Sequence, residues 1–253
     1  MRLHIFVAAV VLVAPTAGCG SDGTSGSRET TTSTSTSAST AAAPTSAPPP
    51  VAPPPPPGPL VQMDQLKGLM PAVNEVSAAV NVPNLGISES HDSLSLLPDD
   101  YVSDMTCVDA VADAAIQSYS ESPVVLVRTQ DYAPVDGSGS FSAIASAILY
   151  ETAQDAQDRV AATTKGWQTC AGKSVQVKLP PATFVLGTPA VTGGVQTLVN
   201  NRTAPPGPGW ACGRGISSHS NVVIDLTVCG SDPAAVGAGT GALVNLLAAK
   251  VPA

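Results

Sequence analysis

Basic residues are scarce in this chain, with 11 Lys and Arg set against 19 Asp and Glu in 253 residues, a formal net charge of −8. Phosphate binding needs clustered Lys and Arg, so this composition excludes a nucleic-acid partner. It also gives no attraction to anionic lipid headgroups. Histidine is as rare: of 3 in the chain, only His91 and His219 lie beyond the N-terminal region. With no C-x-x-C pair to join them, no zinc-type ligand set is present, and neither a metal nor a cofactor is expected. No G-x-S-x-G elbow occurs, and neither histidine sits in a general-base signature. No catalytic residue is therefore assigned, and the chain is not expected to be an enzyme. Internal repeats are absent too. The apolar run Ile5 to Ala14 spans about ten residues, against the ~20 that a helix needs to cross a ~30 Å hydrocarbon core.

That run is the core of a secretory signal. Met1-Arg2-Leu3-His4 supplies the short basic start, and Pro15-Thr16-Ala17-Gly18-Cys19 supplies small residues before a cysteine. Ala17-Gly18-Cys19 resembles the lipobox of bacterial lipoproteins, in which the thiol is acylated and the chain is cut before it; Thr16 departs from the usual Leu, Val or Ile. Residues 1–18 are read as signal peptide, with lipidation at Cys19 and membrane contact through the anchor, since two acyl chains hold a protein where one barely does. The alternative is an ordinary secretory signal that leaves Cys19 a free thiol.

Residues 19–59 change abruptly to Ser, Thr, Ala and Gly and then to the Pro-rich run Ala47 to Pro59. Such a stretch cannot bury enough apolar surface to offset its ordering entropy, so it reads as a disordered tether. Its hydroxyl-rich part, Thr30 to Thr40, leaves open O-glycosylation or a plain soluble spacer. Residues 60–253 are long enough for one domain with a sizeable core.

Four cysteines remain in that domain, Cys107, Cys170, Cys212 and Cys229, and an even count in an exported domain reads as disulfides. Val222, Ile224, Leu226 and Val228 alternate with Val223, Asp225, Thr227 and Cys229, the period of a strand with one buried face. With Ser220-Asn221 as a two-residue loop, counting outward from His219 and Val222 brings Cys212 opposite Cys229. A non-hydrogen-bonded pair there approaches closely enough for a disulfide, and elimination joins Cys107 to Cys170.

The periodicity predicts a helix over Asp64–Val80 interrupted near Pro71, a helix over Cys107–Tyr119, and strands over Val124–Arg128 and Ser142–Tyr150. A polar helix over Thr152–Lys165, strands over Val175–Leu179 and Val195–Asn200, and a last helix after Pro233 follow. The fold class is α+β, an antiparallel sheet covered by helices. Gly237-Ala238-Gly239-Thr240-Gly241-Ala242 loosely resembles a dinucleotide loop, but it falls in the last helix without a βαβ unit, so small-residue packing explains it better. Asp99, Asp100 and Asp104 could in principle do acid–base work, although a solvated loop is the ordinary home of such a run.

Trp167-Gln168-Thr169-Cys170, Gly209-Trp210-Ala211-Cys212-Gly213-Arg214, Asn221 to Cys229 and the ending Ala248-Ala249-Lys250-Val251-Pro252 together resemble the PknH-like extracellular sensor domain, over nearly all of residues 60–253. The resemblance implies an α+β fold with two disulfides, a cleft between sheet and helices, and an unidentified ligand; it implies no catalytic mechanism. It also places such domains on the outer part of a mycobacterial membrane Ser/Thr kinase and on stand-alone lipoproteins. Neither a kinase domain nor a spanning stretch is read in this sequence, so a signal would have to pass to another chain. The sequence departs from the family at Gly213 and Gly215, where larger side chains are more usual.

Three residues are the candidate ligand contacts. Trp210 shares a sheet face with Cys212 and either shields that disulfide or meets a ligand, and Trp167 stands similarly to Cys170. Arg214 opposes Thr227 and lies diagonal to Asp225, within reach of a charge pair. Exposed pairs of this kind contribute little, and anion binding is the functional reading of Arg214. On the other face Gly213, Gly215 and Ser217 leave room either for a close-packed helix or for the floor of a cleft. Two functions follow: a domain that binds a small or lipidic envelope ligand, or an interaction module that docks on an envelope protein such as a receptor kinase.

Overall fold

The computed structural model describes residues 58–204 and 209–252. The stretch expected to be a signal peptide, Cys19, and the expected tether as far as residue 57 lie outside the described residues, which all fall in one compact unit.

The hairpin whose register was counted outward from the Ser220-Asn221 loop forms the middle of the sheet. Strand β8 (Ala211–His219) pairs antiparallel with β9 (Val222–Gly230), with His219 opposite Val222 and Cys212 opposite Cys229. Ser220 turns the chain at a φ of 51°. Both disulfides are as expected, Cys107–Cys170 with Cα atoms 5.7 Å apart and Cys212–Cys229 with Cα atoms 4.1 Å apart, the close approach of a non-hydrogen-bonded cross-strand pair.

The other strands are β1 (Leu85–His91), β2 (Val124–Pro134), β3 (Phe141–Tyr150), β4 (Ser174–Lys178), β5 (Pro181–Val185), β6 (Ala190–Thr192) and β7 (Val195–Ala204). They complete a nine-stranded antiparallel sheet in the order β1-β2-β3-β9-β8-β7-β5-β4, with β6 also paired to β7. Every residue of β9 is buried, because helices cover both sheet faces at its position.

On one face lie α1 (Val73–Val80) and α5 (Pro233–Ala248), the latter packed on β7, β8 and β9. Val222, Ile224, Leu226 and Val228 meet Leu243, Val244 and Leu247 there. The start of α5 is written in its sequence: the Asp232 carboxylate accepts from the Ala234 and Ala235 amides at 2.9 and 3.3 Å, and Pro233 sits in the first turn, where its missing N–H costs nothing. Gly213 and Gly215 let α5 press onto β8. A Cβ on Gly213 would stand 2.1 Å from Thr240 Oγ1, and one on Gly215 would stand 2.7 Å from Val244 Cγ2. The room above these glycines is therefore filled by a helix and is not the floor of a cleft. Gly239 faces Val80 of α1, where a Cβ would stand 3.4 Å from the Val80 Cα.

On the opposite face α2 (Val108–Val111), α3 (Ile116–Tyr119) and α4 (Ala153–Cys170) cover β3, β8 and β9. Helix α4 runs past the expected Lys165 to Cys170, because Trp167 and Cys170 share its buried face with Ala156 and Thr163. The single helix expected over Cys107–Tyr119 is a correction: a 3-10 turn at Met105–Cys107 leads into α2, and the chain breaks at Ala112 before α3 begins. The break serves the interior. Ala114, at a φ of 44°, aims its amide at Asp225 Oδ2, 2.9 Å away. A helix there would have spent that donor on its own backbone.

Candidate functional site

The β8–β9 register places Trp210, Cys212 and Arg214 on the same sheet face as Asp225, Thr227 and Cys229, below the broken α2–α3 segment. The sequence brought Arg214 within reach of Asp225, a pair of small consequence if exposed, with anion binding as the functional reading of Arg214. The structure corrects this: their side chains are 1% and 3% exposed, and Nη2 of Arg214 donates to Asp225 Oδ1 at 2.6 Å.

Nη1 and Nε of Arg214 are engaged as well. Nη1 donates to the Leu226 carbonyl at 2.6 Å and to Thr227 Oγ1 at 2.9 Å, and Nε donates to the Asp109 carbonyl at 3.2 Å. That carbonyl also accepts from Trp167 Nε1 at 2.9 Å, so Trp167 is a buried structural partner of the network. The second Asp225 oxygen accepts from the Tyr119 hydroxyl at 2.8 Å in addition to the Ala114 amide. Arg159 extends the cluster with both Asp109 oxygens at 2.9 Å and its guanidinium 4.2 Å from the Tyr119 ring centre. Donors and acceptors in this number are what a buried ion pair requires to offset desolvation.

Asp113 is the member the sequence reading missed. Thr227 Oγ1 accepts from Arg214 and its hydroxyl donates to Asp113 Oδ1 at 2.9 Å, while Ser146 Oγ, itself 2.8 Å from Thr129 Oγ1, lies 3.5 Å from Asp113 Oδ2. Burial pushes the Asp113 carboxyl up to about 6; the Arg214 charge draws it down and the Asp225 charge raises it further. Burial and the Asp225 charge likewise hold the Tyr119 phenol well above its ordinary range. For Arg214, burial acts to lower the pKa, and the Asp225 and Asp113 charges together overcome it, so the guanidinium stays charged.

Beside this network a pocket of about 570 Å³ opens on the same face. The Cys212–Cys229 disulfide and Ile144 lie in its wall with Trp210, Phe184, Tyr101 and Leu97, and the network reaches it only through Asp113 and Thr227. Of the three candidate contacts, Trp210 is on the pocket wall, half-buried against Cys212, whereas Arg214 and Asp225 lie beneath it. The register of Thr227 opposite Arg214 was available as a signal for the polar side of this pocket. Nothing in the local pattern marked Asp113, which sits where a continuous helix was expected.

Two of the three carboxylates weighed for acid–base work have other uses. Asp100 pairs with Lys178, and Asp104 caps the turn at Thr106 and holds Lys173 Nζ at 2.9 Å. Among the described residues no group of three or more His, Cys, Asp or Glu could hold a metal ion, and no helix is long and apolar enough to cross a membrane.

The sequence profile of the PknH-like extracellular domain matches residues 61–250. The fold is similar to the crystal structure of the extracellular domain of PknH from Mycobacterium tuberculosis, with a TM-score of 0.68 at 20% identity over 75% of this chain and 98% of that one. Serine/threonine-protein kinase PknH of Mycobacterium bovis is 32% identical over 83 residues, which are 33% of this chain and 14% of the kinase. The Mycobacterium tuberculosis kinase of the same name gives 32% identity over 83 residues and 13% of its length. The match thus spans a small part of the kinases' length. With the profile covering almost the whole described domain, the chain belongs to the PknH-like extracellular domain family.

Proposed function

We propose that the chain is an extracytoplasmic lipoprotein, anchored through Cys19, whose sensor-type domain binds a small, largely apolar ligand in the pocket beside the Arg214–Asp225 network. The observation that carries this reading is the pocket's makeup: about 570 Å³ of mostly apolar wall in which buried polar groups surface at few points. Ligand sites commonly occupy about 300–1,000 Å³ and combine apolar walls with a few placed polar groups. In this reading Trp210 meets the ligand directly, and Arg214 and Asp225 act through Thr227 and Asp113 by fixing their positions.

Leu96 and Leu179, 82% and 61% exposed, favour a second reading in which the same region docks on an envelope protein. The two readings separate on a small neutral probe. N-phenyl-1-naphthylamine, added to the secreted chain from residue 20 onward, should brighten on binding with wild type and not with Ala182→Trp, which fills the pocket. Equal brightening in both proteins would remove the pocket from the account.

A further inference from the structure

The polar cluster beneath the pocket is one cation short. It holds two buried carboxylates, Asp113 and Asp225, and one buried guanidinium, Arg214. Arg214 is committed to Asp225 at 2.6 Å and reaches Asp113 only through the Thr227 hydroxyl. Asp225 also accepts from Ala114 and Tyr119 at 2.9 and 2.8 Å, and it lies beneath the pocket, out of its lining. Asp113 receives the Thr227 hydroxyl at 2.9 Å, the Ser146 hydroxyl at 3.5 Å and its own backbone amide. An ionised carboxylate has about four acceptor sites, so capacity is left on the one carboxylate that lines the pocket.

The groups that face Asp113 do not supply the missing charge. They are Arg214 from β8, Asp225 and Thr227 from β9, Ser146 from β3, and the phenol of Tyr101, whose pKa burial and the Asp113 charge both raise. The other charged residue of the lining, Arg202, lies on β7 four residues beyond Leu198, the β7 partner of Arg214. Two strand spacings and four residue rises put its backbone ~16 Å from that of Thr227. In a low-dielectric interior an uncompensated carboxylate is costly until a proton or a cation joins it.

We propose that the pocket selects an amphiphile with an apolar body and an ammonium-type cationic end that pairs with Asp113. This rests on the ligand-pocket reading above. The apolar body lies against Ile144, Val177, Phe184 and Trp210, and the cation takes the place a proton fills in acid. Because burial holds the Asp113 carboxyl near 6, the pairing is present at pH 7.5 and mostly lost at pH 5, where protonation lowers affinity for a cation by about tenfold.

Isothermal titration of the secreted chain with octylammonium, octanol and octanoate, below their aggregation concentrations, tests this. At pH 7.5 octylammonium should bind at least tenfold tighter than octanol, and at pH 5 the advantage should fall to within about twofold. Asp113→Asn should keep octanol binding, which shows the pocket intact, and lose the ammonium preference. Equal binding of octanol and octylammonium at pH 7.5, or tighter binding of octanoate, would overturn the cation assignment while leaving the pocket reading in place. Failure of all three probes to bind would overturn both.

Discussion

Replacing Asp113 with Asn should make the domain more stable at neutral pH and leave it nearly unchanged in acid. The Asp113 carboxyl is pushed up to about 6 in the folded protein, from an ordinary value of 3.8, chiefly by burial. Between those values the native state binds more protons than the unfolded one, so this residue's contribution to stability falls as pH rises from about 4 to 6 and is flat above. Two units correspond to about 3 kcal/mol at 1.36 kcal/mol per unit. Asn keeps an acceptor for Thr227 and removes the charge, so the mutant should gain on wild type by up to about 3 kcal/mol above pH 7, less whatever the altered contact with Ser146 costs. Urea unfolding with both disulfides intact, run on both proteins from pH 4.5 to 8, gives the difference directly. Taking the difference cancels the opposite trend of Glu75, Asp104 and Asp136, whose pKa values are lowered by hydrogen bonds and, for the first two, by lysine partners. A difference that stays flat with pH, or one in which wild type gains on the mutant as pH rises, would refute the view that Asp113 is an under-compensated buried charge.

Arg214→Met should cost about 3–5 kcal/mol in the same assay at pH 7.5, because it strands a buried carboxylate whose partner is gone. Loss of the Cys107–Cys170 bridge should cost about 4 kcal/mol and loss of Cys212–Cys229 about 3, following the chain-entropy estimate for the two loop lengths; the order would reverse if the shorter bridge owed its effect to the pocket wall. Gly213→Ala should destabilise by about 1–3 kcal/mol, since its Cβ would meet Thr240 Oγ1 at 2.1 Å. Gly241→Ala, on the same side of the fold but with nothing within 4 Å of the new methyl, should instead stabilise α5 by about 0.5–1 kcal/mol in thermal melts.

The central hairpin was legible because β9 alternates and the Ser220-Asn221 loop fixes a register that brings two cysteines together; the start of α5 was legible because Asp232-Pro233 is a local signal. Strand β1, Leu85–His91, was not, since an edge strand with one buried residue has no alternating face to display. Strands β5 and β6 are short and interrupted by Pro and Gly neighbours, and they too passed unseen. The break between α2 and α3 is set by a demand from elsewhere in the fold: Asp225, 111 residues away, needs the Ala114 amide. Arg214 and Asp225 could be paired from their strand positions, but burial depends on α4 and the α2–α3 segment covering them, which no local pattern records. Asp113, the residue on which the pocket's chemistry turns, was hidden for the same reason.

The most direct test of the account is native mass spectrometry of the chain recovered from cells that produce it, before and after mild denaturation. A discrete small-molecule mass lost on unfolding, absent from Ala182→Trp and carrying a basic nitrogen on fragmentation, is the predicted result. A clean apo mass for wild type, with a protein partner recovered by a photoreactive diazirine side chain placed at position 96 or 179, would contradict the pocket reading and leave the docking surface in its place.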